Sequence, residues 1–322
     1  MMTDKKETLE FVVPIYNEEE CINELVERLL KVGETLSQWL HVGYIFVNDG
    51  SKDGSLKLLQ KHADTHPEIR LISFSRNFGH QMAVTAGLDY STADYVAIID
   101  ADLQDPPELV KDMYMKAREE GLDIVYGQRL TREGETFFKK FTAKAFYRII
   151  NKMCDLEIPK DTGDFRLINR KVVDSFRRMR EQHRFIRGMV PWLGFKSAPF
   201  HFQRKERYAG DTKYPLKKMI LFAMNGILSF SNKPLRAGAI LGSITVGLGC
   251  LGGLLMLYLK FFTATNVPGI TATILTVIIM GGIQIIMLGI IGEYIGKIFE
   301  EVKGRPLYVV EETRNIPTET PQ

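Results

Sequence analysis

The fold is decided by the stretch Tyr95-Val-Ala-Ile-Ile-Asp-Ala-Asp-Leu-Gln-Asp-Pro-Pro107, in which a short apolar run ends in two carboxylates. The run Tyr95–Ile99 has the length and composition of a buried strand, and Pro106 and Pro107 are tolerated in the first turn of a helix. A strand joined directly to a helix is the repeating unit of α/β proteins. The stretch therefore predicts an α/β fold with polar side chains at the end of a strand.

The same alternation of short apolar runs and amphipathic stretches continues on both sides of this segment. The predicted strands are Leu9–Ile15, Tyr44–Val47, Ile69–Phe74, Tyr95–Ile99 and Ile124–Tyr126. The predicted helices are Glu19–Leu30, Ser55–His62, Gln81–Leu88, Glu108–Glu120 and Phe137–Met153. Strands that alternate with helices in this way predict a mainly parallel sheet covered by helices.

Polar clusters follow four of the predicted strands. In chain order they are Tyr16-Asn-Glu18, Asn48-Asp-Gly-Ser51, Ser75-Arg-Asn77 and Asp100-Ala-Asp102. Each cluster alone would also suit an ordinary turn. In open parallel sheets, however, ligands bind in the crevice beyond the carboxyl ends of the strands. Four clusters at that edge together indicate one binding site.

The cluster after the fourth strand has the most specific chemistry. Asp100 and Asp102 would repel each other unless a cation lay between them, and the side chain of Gln104 offers one more oxygen. Oxygen ligands suit Mg2+ or Mn2+, and such an ion usually completes its shell with water and substrate phosphates. We therefore expect a divalent-metal site that holds a nucleoside diphosphate. Asp105 is interpreted as the N-cap of the next helix.

The C-terminal third of the chain has a different composition. The 56 residues from Ala237 to Gly292 contain a single charged residue, Lys260, although the mean hydropathy of the whole chain is -0.07. The uncharged runs Gly238–Leu259 and Val267–Gly292 are each long enough to cross a bilayer. Basic residues flank both outer ends, so the positive-inside rule predicts a hairpin with both ends in the cytoplasm. The alternative is a buried helical hairpin in a large soluble protein.

Two segments before the hairpin are interpreted as membrane-facing. Leu216–Phe230 predicts a helix lying in the membrane interface, although a core helix could have the same pattern. Phe176–Val190 carries five arginines that could face anionic headgroups or form a solvated helical face. Within the spans, small residues recur four positions apart, which predicts close helix packing inside the hairpin or between subunits of a homo-oligomer. These residues are Gly238, Gly242, Gly249, Gly253, Gly292 and Gly296.

Composition excludes several classes of protein. The 42 Lys and Arg residues against 39 Asp and Glu leave a net charge of +3, too small for a nucleic-acid-binding protein that depends on bulk charge. Three cysteines are too few and too scattered for a disulfide framework or a zinc site. Gly247-Leu-Gly-Cys-Leu-Gly252 matches a dinucleotide-binding string but lies inside a predicted span. Met1–Glu10 lacks the apolar core of a secretory signal, so we expect the globular part in the cytoplasm.

Six segments of the sequence resemble the family 2 inverting glycosyltransferases. They are VVPIYNEEE, NDGSKDGS, SRNFG, DADLQDPPE, Thr162-Gly-Asp-Phe-Arg-Leu167 and Arg207-Tyr-Ala-Gly-Asp-Thr-Lys213. Over almost its whole length the chain is similar to the polyprenyl-phosphate glycosyltransferases of that family, and more narrowly to the bacterial bactoprenol glucosyltransferases. Dolichyl-phosphate mannose synthases and aminoarabinose transferases belong to the same branch. The sequence lacks the Gln-x-x-Arg-Trp string of processive synthases, which implies transfer of one sugar.

The resemblance implies a GT-A type domain that binds a nucleotide sugar and a divalent metal. The residues that it assigns to the nucleotide sugar are Pro14, Tyr16, Glu18, Asp49, Arg76, Asp100, Ala101 and Asp102. The implied metal ligands are Asp100, Asp102 and Gln104. Asp164 becomes the candidate base or acceptor orienter, with Asp161 as a weaker neighbour and pairing with Arg166 as the alternative role. Arg129, Arg207 and Lys213 are the cations expected to hold an anionic acceptor.

The resemblance further implies inverting transfer of a single hexose to polyprenyl phosphate, with UDP-glucose as the expected donor and undecaprenyl phosphate as the expected acceptor. Mannose or 4-deoxy-4-formamido-arabinose is the alternative sugar, and a catalytically silent membrane scaffold is the alternative function. The expected domains are a cytoplasmic catalytic domain over 1–214, a juxtamembrane amphipathic helix over 215–233, transmembrane helices at about 236–262 and 267–292, and a cytoplasmic tail over 297–322. We expect the protein in the bacterial inner membrane, with the catalytic domain and both termini in the cytoplasm.

Overall fold

The apolar runs near the N-terminus form the centre of one sheet in the computed structural model, which describes residues 6–130, 162–203, 231, 233–262 and 269–316. The strands in these residues are β1 (Glu7–Ile15), β2 (Leu40–Asn48), β3 (Ile69–Phe74), β4 (Tyr95–Ile98), β5 (Ile124–Arg129), β6 (Thr162–Asn169), β7 (Ser197–Phe202) and β8 (Val310–Arg314). Their order in the sheet is β7-β5-β6-β4-β1-β2-β3-β8. The first four strands pair in parallel, as their alternation with helices predicts.

Amphipathic helices connect these strands. In the described part of the first 203 residues they are α1 (Ile22–Leu36), α2 (Ser55–Thr65), α3 (His80–Tyr90), α4 (Val110–Glu120), α5 (Arg170–Arg177) and α6 (Ile186–Trp192), and a 3-10 turn at Pro107–Leu109 precedes α4. In α1 the buried apolar residues recur three or four positions apart, which places them on one face of the helix. The predicted helix Phe137–Met153 and the predicted interfacial helix Leu216–Phe230 lie outside the described residues.

The sheet is mainly parallel, as predicted, since six of its eight described strands run in one direction, but it is mixed because β6 and β8 run against their neighbours. β6 lies between β4 and β5 and is antiparallel to both. Hydrophobic periodicity does not predict β6, since Asp164 and Arg166 interrupt its apolar pattern although both are buried. An antiparallel β6 begins at the edge of the sheet where its parallel neighbours end, so the first residues of β6 lie beside the residues that follow β4.

The two long apolar helices belong to a second compact unit, formed by Lys152–Asp155 and Ile220–Arg305. They are α7 (Lys233–Phe262) and α8 (Gly269–Val302), so α8 continues ten residues beyond the predicted span. The segments Lys233–Leu255 and Thr276–Val302 have mean hydropathies of 1.8 and 1.9 and are long enough to cross a membrane. Only 6% of the first apolar window and 0% of the second is buried, so neither helix is a protein core.

The predicted close packing of small residues is found at one position in the described helices. A Cβ atom on Gly238 would lie 1.8 Å from Cε of Met287, so α7 and α8 approach closely there. The other five glycines of the pattern have no described neighbour within 4 Å of such an atom.

The C-terminal residues return to the first unit, which comprises Met1–Asn151, Leu156–Met219 and Pro306–Gln322. The segment 297–322 was expected to form a tail, but its first residues complete α8 and its later residues form β8 at the edge of the sheet beside β3. Nδ2 of Asn315 donates to the carbonyl oxygens of Ala63 and Ile69, at 2.6 and 2.8 Å. These bonds attach the residue that follows β8 to the end of α2 and to the start of β3.

The arginine-rich stretch Phe176–Val190 is part of the fold rather than a free basic face. Arg177 donates to the carbonyl oxygens of Leu88 and Asp89 at the end of α3, both at 2.8 Å. Arg184 is buried with its guanidinium 4.6 Å from the ring centroid of Phe176. Arg180 also pairs with Asp89 of α3, and Arg187 pairs with Asp164 of β6. The interpretation of this stretch as a headgroup-facing patch is therefore wrong for four of its five arginines, because they are engaged within the fold.

Close contact between α3 and β1 gives a test of this packing. A Cβ atom on Gly87 would lie 2.2 Å from Cγ1 of the buried, β-branched Val12. Gly87→Ala should therefore lower the free energy of unfolding by about 1–3 kcal/mol, although alanine is ordinarily the better helix former. Thermal unfolding in detergent measures the effect, with Gly43→Ala as the control, because its Cβ would have no neighbour nearer than 3.4 Å. Equal melting temperatures for the two variants would contradict the close packing.

Candidate active site

The loops that follow β1 and β2 are locked together by hydrogen bonds between side chains and backbone. The backbone N–H groups of Asn17 and Glu18 donate to the hydroxyl oxygens of Ser51 and Ser55, at 3.1 and 3.0 Å. In return, the N–H of Lys52 donates to Oδ1 of Asn17 at 2.8 Å. These bonds fix one wall of the crevice at the carboxyl ends of the two strands.

Asp49 follows β2 and organises the loop between β3 and α3. Its buried carboxylate accepts hydrogen bonds from the N–H groups of Phe78 and Gly79, at 2.6 and 2.9 Å, and from Nδ2 of Asn77 at 2.9 Å. Burial raises the pKa of Asp49, and the backbone hydrogen bonds oppose that rise. Gly50 has a φ of +63°, and a Cβ atom there would lie 2.4 Å from the carbonyl carbon of residue 76. The loop between β3 and α3 is therefore held in one conformation up to the first residue of α3.

Two carboxylates meet at this edge because β6 is antiparallel to β4. The register pairs Ile98 with Arg166, so two residues further along β4 the chain reaches Asp100 where β6 has Asp164. Asp164 is 2% exposed, and the side chain of Asp100 is 23% exposed. Buried carboxylates this close to each other require compensation by positive charge.

Asp164 is held by two cationic side chains. Arg187, in the first turn of α6, donates from Nε and Nη2 to the two carboxylate oxygens, both at 3.0 Å. His80, the first residue of α3, has Nε2 3.1 Å from Oδ2 of the same carboxylate. Burial alone would raise the pKa of Asp164, but Arg187 and His80 outweigh burial and hold this pKa well below its usual range. Asp164 is therefore ionised at neutral pH.

His80 links the two carboxylates. Its Nε2 atom lies 3.6 Å from Oδ1 of Asp100 as well as beside Asp164. Burial would lower the pKa of His80, but its hydrogen bond to Asp164 and the charges of both carboxylates raise that pKa to about 9. The side chain of Arg166 mainly binds backbone atoms. It donates to the carbonyl oxygens of Asp164 and Gly163, at 3.2 and 3.0 Å. Its Nη2 atom is 3.6 Å from Oδ1 of Asp164, so Arg166 is a secondary partner of that carboxylate.

Asp100 has the properties of a metal ligand. Within the described residues, its Oδ1 atom is buried and has no hydrogen-bond partner. Burial raises the pKa of Asp100, and the positive charge of His80 opposes that rise. Ligand atoms of His80, Asp100 and Asp164 all lie within 4.8 Å of one another. A divalent cation would satisfy the oxygen that these residues leave without a hydrogen bond, and oxygen ligands suit Mg2+ or Mn2+. His80 could join such an ion only after losing its proton, because a protonated imidazole has no lone pair to offer a metal.

The other predicted metal ligands lie in the turn after Asp100. Oδ1 of Asp102 accepts a hydrogen bond from the N–H of Gln104 at 3.1 Å, and Leu103 between them has a φ of +59°. The structure thus offers two possible ligand sets that share Asp100. One contains the adjacent Asp102 and Gln104, and the other contains His80 and Asp164.

Arg129 lies at the end of β5 and pairs with a buried carboxylate. Its Nη2 atom is 3.7 Å from Oδ1 of Asp105, and a Cβ atom on Gly163 would lie 2.8 Å from Nη2. The interpretation of Asp105 as a helix N-cap is wrong, since Pro106 and Leu109 occupy the two N-cap positions and neither has a side-chain cap. Arg129 is therefore engaged with Asp105 beside the start of β6.

The remaining predicted residues of the described region lie at the ends of the central strands. Pro14 is buried within β1, Tyr16 is exposed just beyond it, and Glu18 lies in the locked loop. Ala101 is buried after β4, and the guanidinium of Arg76 is 4.0 Å from the ring centroid of Phe78. Three predicted residues lie outside the described residues: Asp161, Arg207 and Lys213.

Two residues of the cluster, His80 and Arg187, were not predicted as site residues from the sequence. His80 directly follows the SRNFG segment, and a polar residue at the start of a helix after a strand-end loop is the signal that could have indicated it. Arg187 was grouped with the other arginines of its stretch, and nothing in its immediate sequence distinguishes it. Only the tertiary structure brings α3, α6 and β6 to the same carboxylate.

Comparisons with known proteins show the family of the chain. Residues 10–177 match the family model described as Glycosyl transferase family 2. The protein named Uncharacterized glycosyltransferase YkcC, from Bacillus subtilis, is 48% identical over 305 residues, which are 95% of this chain and 94% of that protein. The Prophage bactoprenol glucosyl transferase homolog of Escherichia coli is 35% identical over 306 residues, covering 95% of this chain and 99% of that protein.

Among solved structures, S. aureus TarS 1-349 in complex with UDP is similar to the chain with a TM-score of 0.46 and 16% sequence identity, over 69% of this chain and 64% of that chain. The mixed sheet has a GT-A-like arrangement. The family model covers more than half of the chain, and the curated relatives extend over nearly all of it. The chain therefore belongs to glycosyl transferase family 2, and it is a glycosyltransferase.

Proposed function

We propose that the enzyme transfers a single hexose, with inversion, from a nucleoside diphosphate to a polyprenyl phosphate at the cytoplasmic face of the bacterial inner membrane. UDP-glucose is the proposed donor and undecaprenyl phosphate the proposed acceptor. The observation that carries the proposal is the cluster of Asp100, His80 and Asp164 with Arg187, in a chain that also has two exposed apolar helices.

The donor is proposed to bind where the strands β1, β2 and β4 end. Asp100 would hold Mg2+ or Mn2+, together with His80 and Asp164 or with Asp102 and Gln104. A divalent ion bound there neutralises the negative charge that develops on the leaving diphosphate. The exposed ring of Tyr16 and the locked loops supply a wall for the nucleoside. Asp49 contributes by fixing the loop that ends at His80, since its carboxylate is engaged within the protein.

A phosphate acceptor makes a strong general base unnecessary. A phosphate monoester has a second pKa near 6 and is largely dianionic at neutral pH. Asp164 is a weak proton acceptor, because Arg187 and His80 hold its pKa well below the usual range. We therefore assign to Asp164 the orientation of the acceptor and of its own cationic partners. Arg207 and Lys213 are proposed to hold the acceptor phosphate, whereas Arg129 is paired with Asp105.

The apolar helices support a membrane location. Their apolar side chains are exposed along both helices, for example Leu248 at 65% and Ile285 at 72%, and water is an unfavourable environment for such surfaces. β8 belongs to the same sheet as β1 to β7, so the chain between Phe202 and Val310 can cross a membrane only an even number of times. Two candidate spans satisfy this requirement, which supports a hairpin with both ends on the same side of the membrane. The basic residues that flank the hairpin favour the cytoplasm as that side.

The name of the Escherichia coli relative supports glucose and a bactoprenol carrier for this chain as well. Mannose and 4-deoxy-4-formamido-arabinose remain the alternative sugars, because discrimination among hexoses depends on a few hydrogen bonds. A catalytically silent scaffold is the alternative of another class. The presence of Asp100, Asp102 and Asp164 argues against it, since a scaffold has no need for these carboxylates. Self-association through the small-residue pattern also remains a prediction.

The direct test is to incubate membranes containing the protein with labelled UDP-glucose, GDP-mannose and UDP-4-formamido-arabinose, with Mg2+ or Mn2+, and to extract the lipid. We expect label from UDP-glucose in a lipid that carries one sugar, and no label after chelation of the metal. Transfer from another donor would change the sugar assignment. No labelled lipid from any donor would favour the scaffold.

Replacing Asp102 tests the metal assignment. Asp102→Asn should reduce transfer in detergent with Mg2+ by about 100-fold or more, because an amide has no negative charge to bind the ion. The same substitution at an exposed carboxylate of α4, Asp112→Asn, is the matched control and should leave the rate unchanged. Full activity of the Asp102 variant would remove this residue from the metal site.

Replacing Asp164 separates orientation from donor binding. Asp164→Asn should lower kcat about tenfold or more while the donor KM changes little, because the carboxylate that orients the reacting groups is lost. Arg187→Gln should have a similar effect, since it leaves the buried carboxylate without its bidentate partner. Arg187→Lys should recover little, because lysine cannot form the paired hydrogen bonds. An equal loss of donor binding in the Asp164 variant would assign it to the donor instead.

A further inference from the structure

The segment that follows the apolar helices is docked against the sheet of the first unit. Leu307 is buried, and the ring of Tyr308 stacks on the buried ring of Phe74 with centroids 5.0 Å apart and an interplanar angle of 16°. The N–H of Ser75 donates to the carbonyl oxygen of Val309 at 3.1 Å, and β8 then pairs with β3. This C-terminal segment, residues 306–315, is therefore built into the edge of the sheet.

The hydroxyl of Tyr308 makes a specific polar contact in this docked segment. It donates to Oδ2 of Asp89 at 2.8 Å, and Asp89 is buried in the last turn of α3. The same carboxylate accepts two hydrogen bonds from Nη1 of Arg180, at 2.8 and 3.0 Å. Burial and the charge of Asp89 raise the pKa of Tyr308, so its phenol stays protonated and remains a donor.

α3 connects this contact to the candidate active site. The helix begins at His80, whose ring lies between Asp100 and Asp164, and it ends one residue after Asp89. Its eleven residues form one rigid element of about 16 Å. Close packing of Gly87 on Val12 prevents the helix from yielding in its middle. As one rigid element, α3 would carry a displacement of its Asp89 end to its His80 end.

We propose that Tyr308 is a positioning residue for sugar transfer: by anchoring Asp89 it fixes α3 and thereby keeps His80 at the strand-end carboxylates. The C-terminal segment then helps to set the position of His80 and is not only a tail. The activity readout of this inference rests on the proposed transfer reaction, whereas the position of α3 can be measured without it.

Tyr114 provides a matched control for the loss of one phenol hydroxyl. It is buried in α4, and its hydroxyl donates to Oε2 of Glu7 at 2.7 Å, at the amino end of β1 and away from the candidate site. Tyr308→Phe and Tyr114→Phe each keep the ring and remove one hydrogen bond to a carboxylate. Comparable losses of stability are expected, so a difference in catalysis cannot come from stability alone.

The test compares Tyr308→Phe with Tyr114→Phe in the full chain. We expect kcat to fall about fivefold in the Tyr308 variant with donor KM unchanged, while the Tyr114 variant keeps the wild-type kcat. Hydrogen exchange of the α3 amides should become faster in the Tyr308 variant only. Equal kcat values and equal α3 exchange in the two variants would overturn the inference. A wild-type protein that transfers no sugar would refute the proposed function, and α3 exchange would then decide this inference separately.

Discussion

The arrangement of the site depends on two carboxylates held close together at the end of a sheet. Asp164 is almost fully buried, and leaving such a charge without a partner costs several kcal/mol. Arg187 and His80 supply the compensation, and each is the first or second residue of its helix. The helices α3 and α6 must therefore begin at this carboxylate. Gln81 joins them, because its Oε1 accepts the N–H of Ile186 at 2.8 Å.

The same constraint explains why an antiparallel strand is inserted into a parallel sheet. A parallel strand at the position of β6 would begin at the opposite edge, and the residues at its start would lie far from Asp100. By running antiparallel to β4, β6 brings Asp164 to the carboxyl ends of the parallel strands within its first three residues. The crevice then contains acidic side chains from two antiparallel segments, Asp100 after β4 and Asp164 in β6. In the proposed reaction, the cation and the diphosphate of the donor would both lie in this crevice.

Local sequence pattern predicted those parts of the structure that depend on local interactions. All five predicted strands occur, and so do the four predicted helices in the described region, because their apolar residues recur with strand or helix periodicity. The clusters at Asn48–Ser51 and Asp100–Asp102 also lie at strand ends as predicted. β6 was missed because this buried strand carries two charged residues, Asp164 and Arg166, whose main partners are Arg187 and His80 for the carboxylate and backbone carbonyl oxygens for the guanidinium. His80 and Arg187 were missed because their partner is distant in sequence.

The C-terminal region shows the same difference between local and long-range information. Uncharged runs predicted two apolar helices, and the helices occur with modest differences at their ends. The residues beyond them have mixed polarity, and their pairing with β3 depends on a strand more than 200 residues away. A segment that reads as a tail is thus an edge strand. The sheet contains both the N-terminal strands and β8, and the apolar helices lie between them in the sequence.

The central claim is that the strand-end cluster holds a divalent ion on the diphosphate of the donor. Pulsed electron paramagnetic resonance of Mn2+ bound to the purified protein measures this directly through hyperfine coupling to phosphorus. We expect coupling to 31P when UDP is added to the wild-type protein and loss of bound Mn2+ in Asp100→Asn. Mn2+ that shows no phosphorus coupling with UDP bound, or that binds the Asp100 variant equally well, would contradict the assignment of this cluster as the donor site.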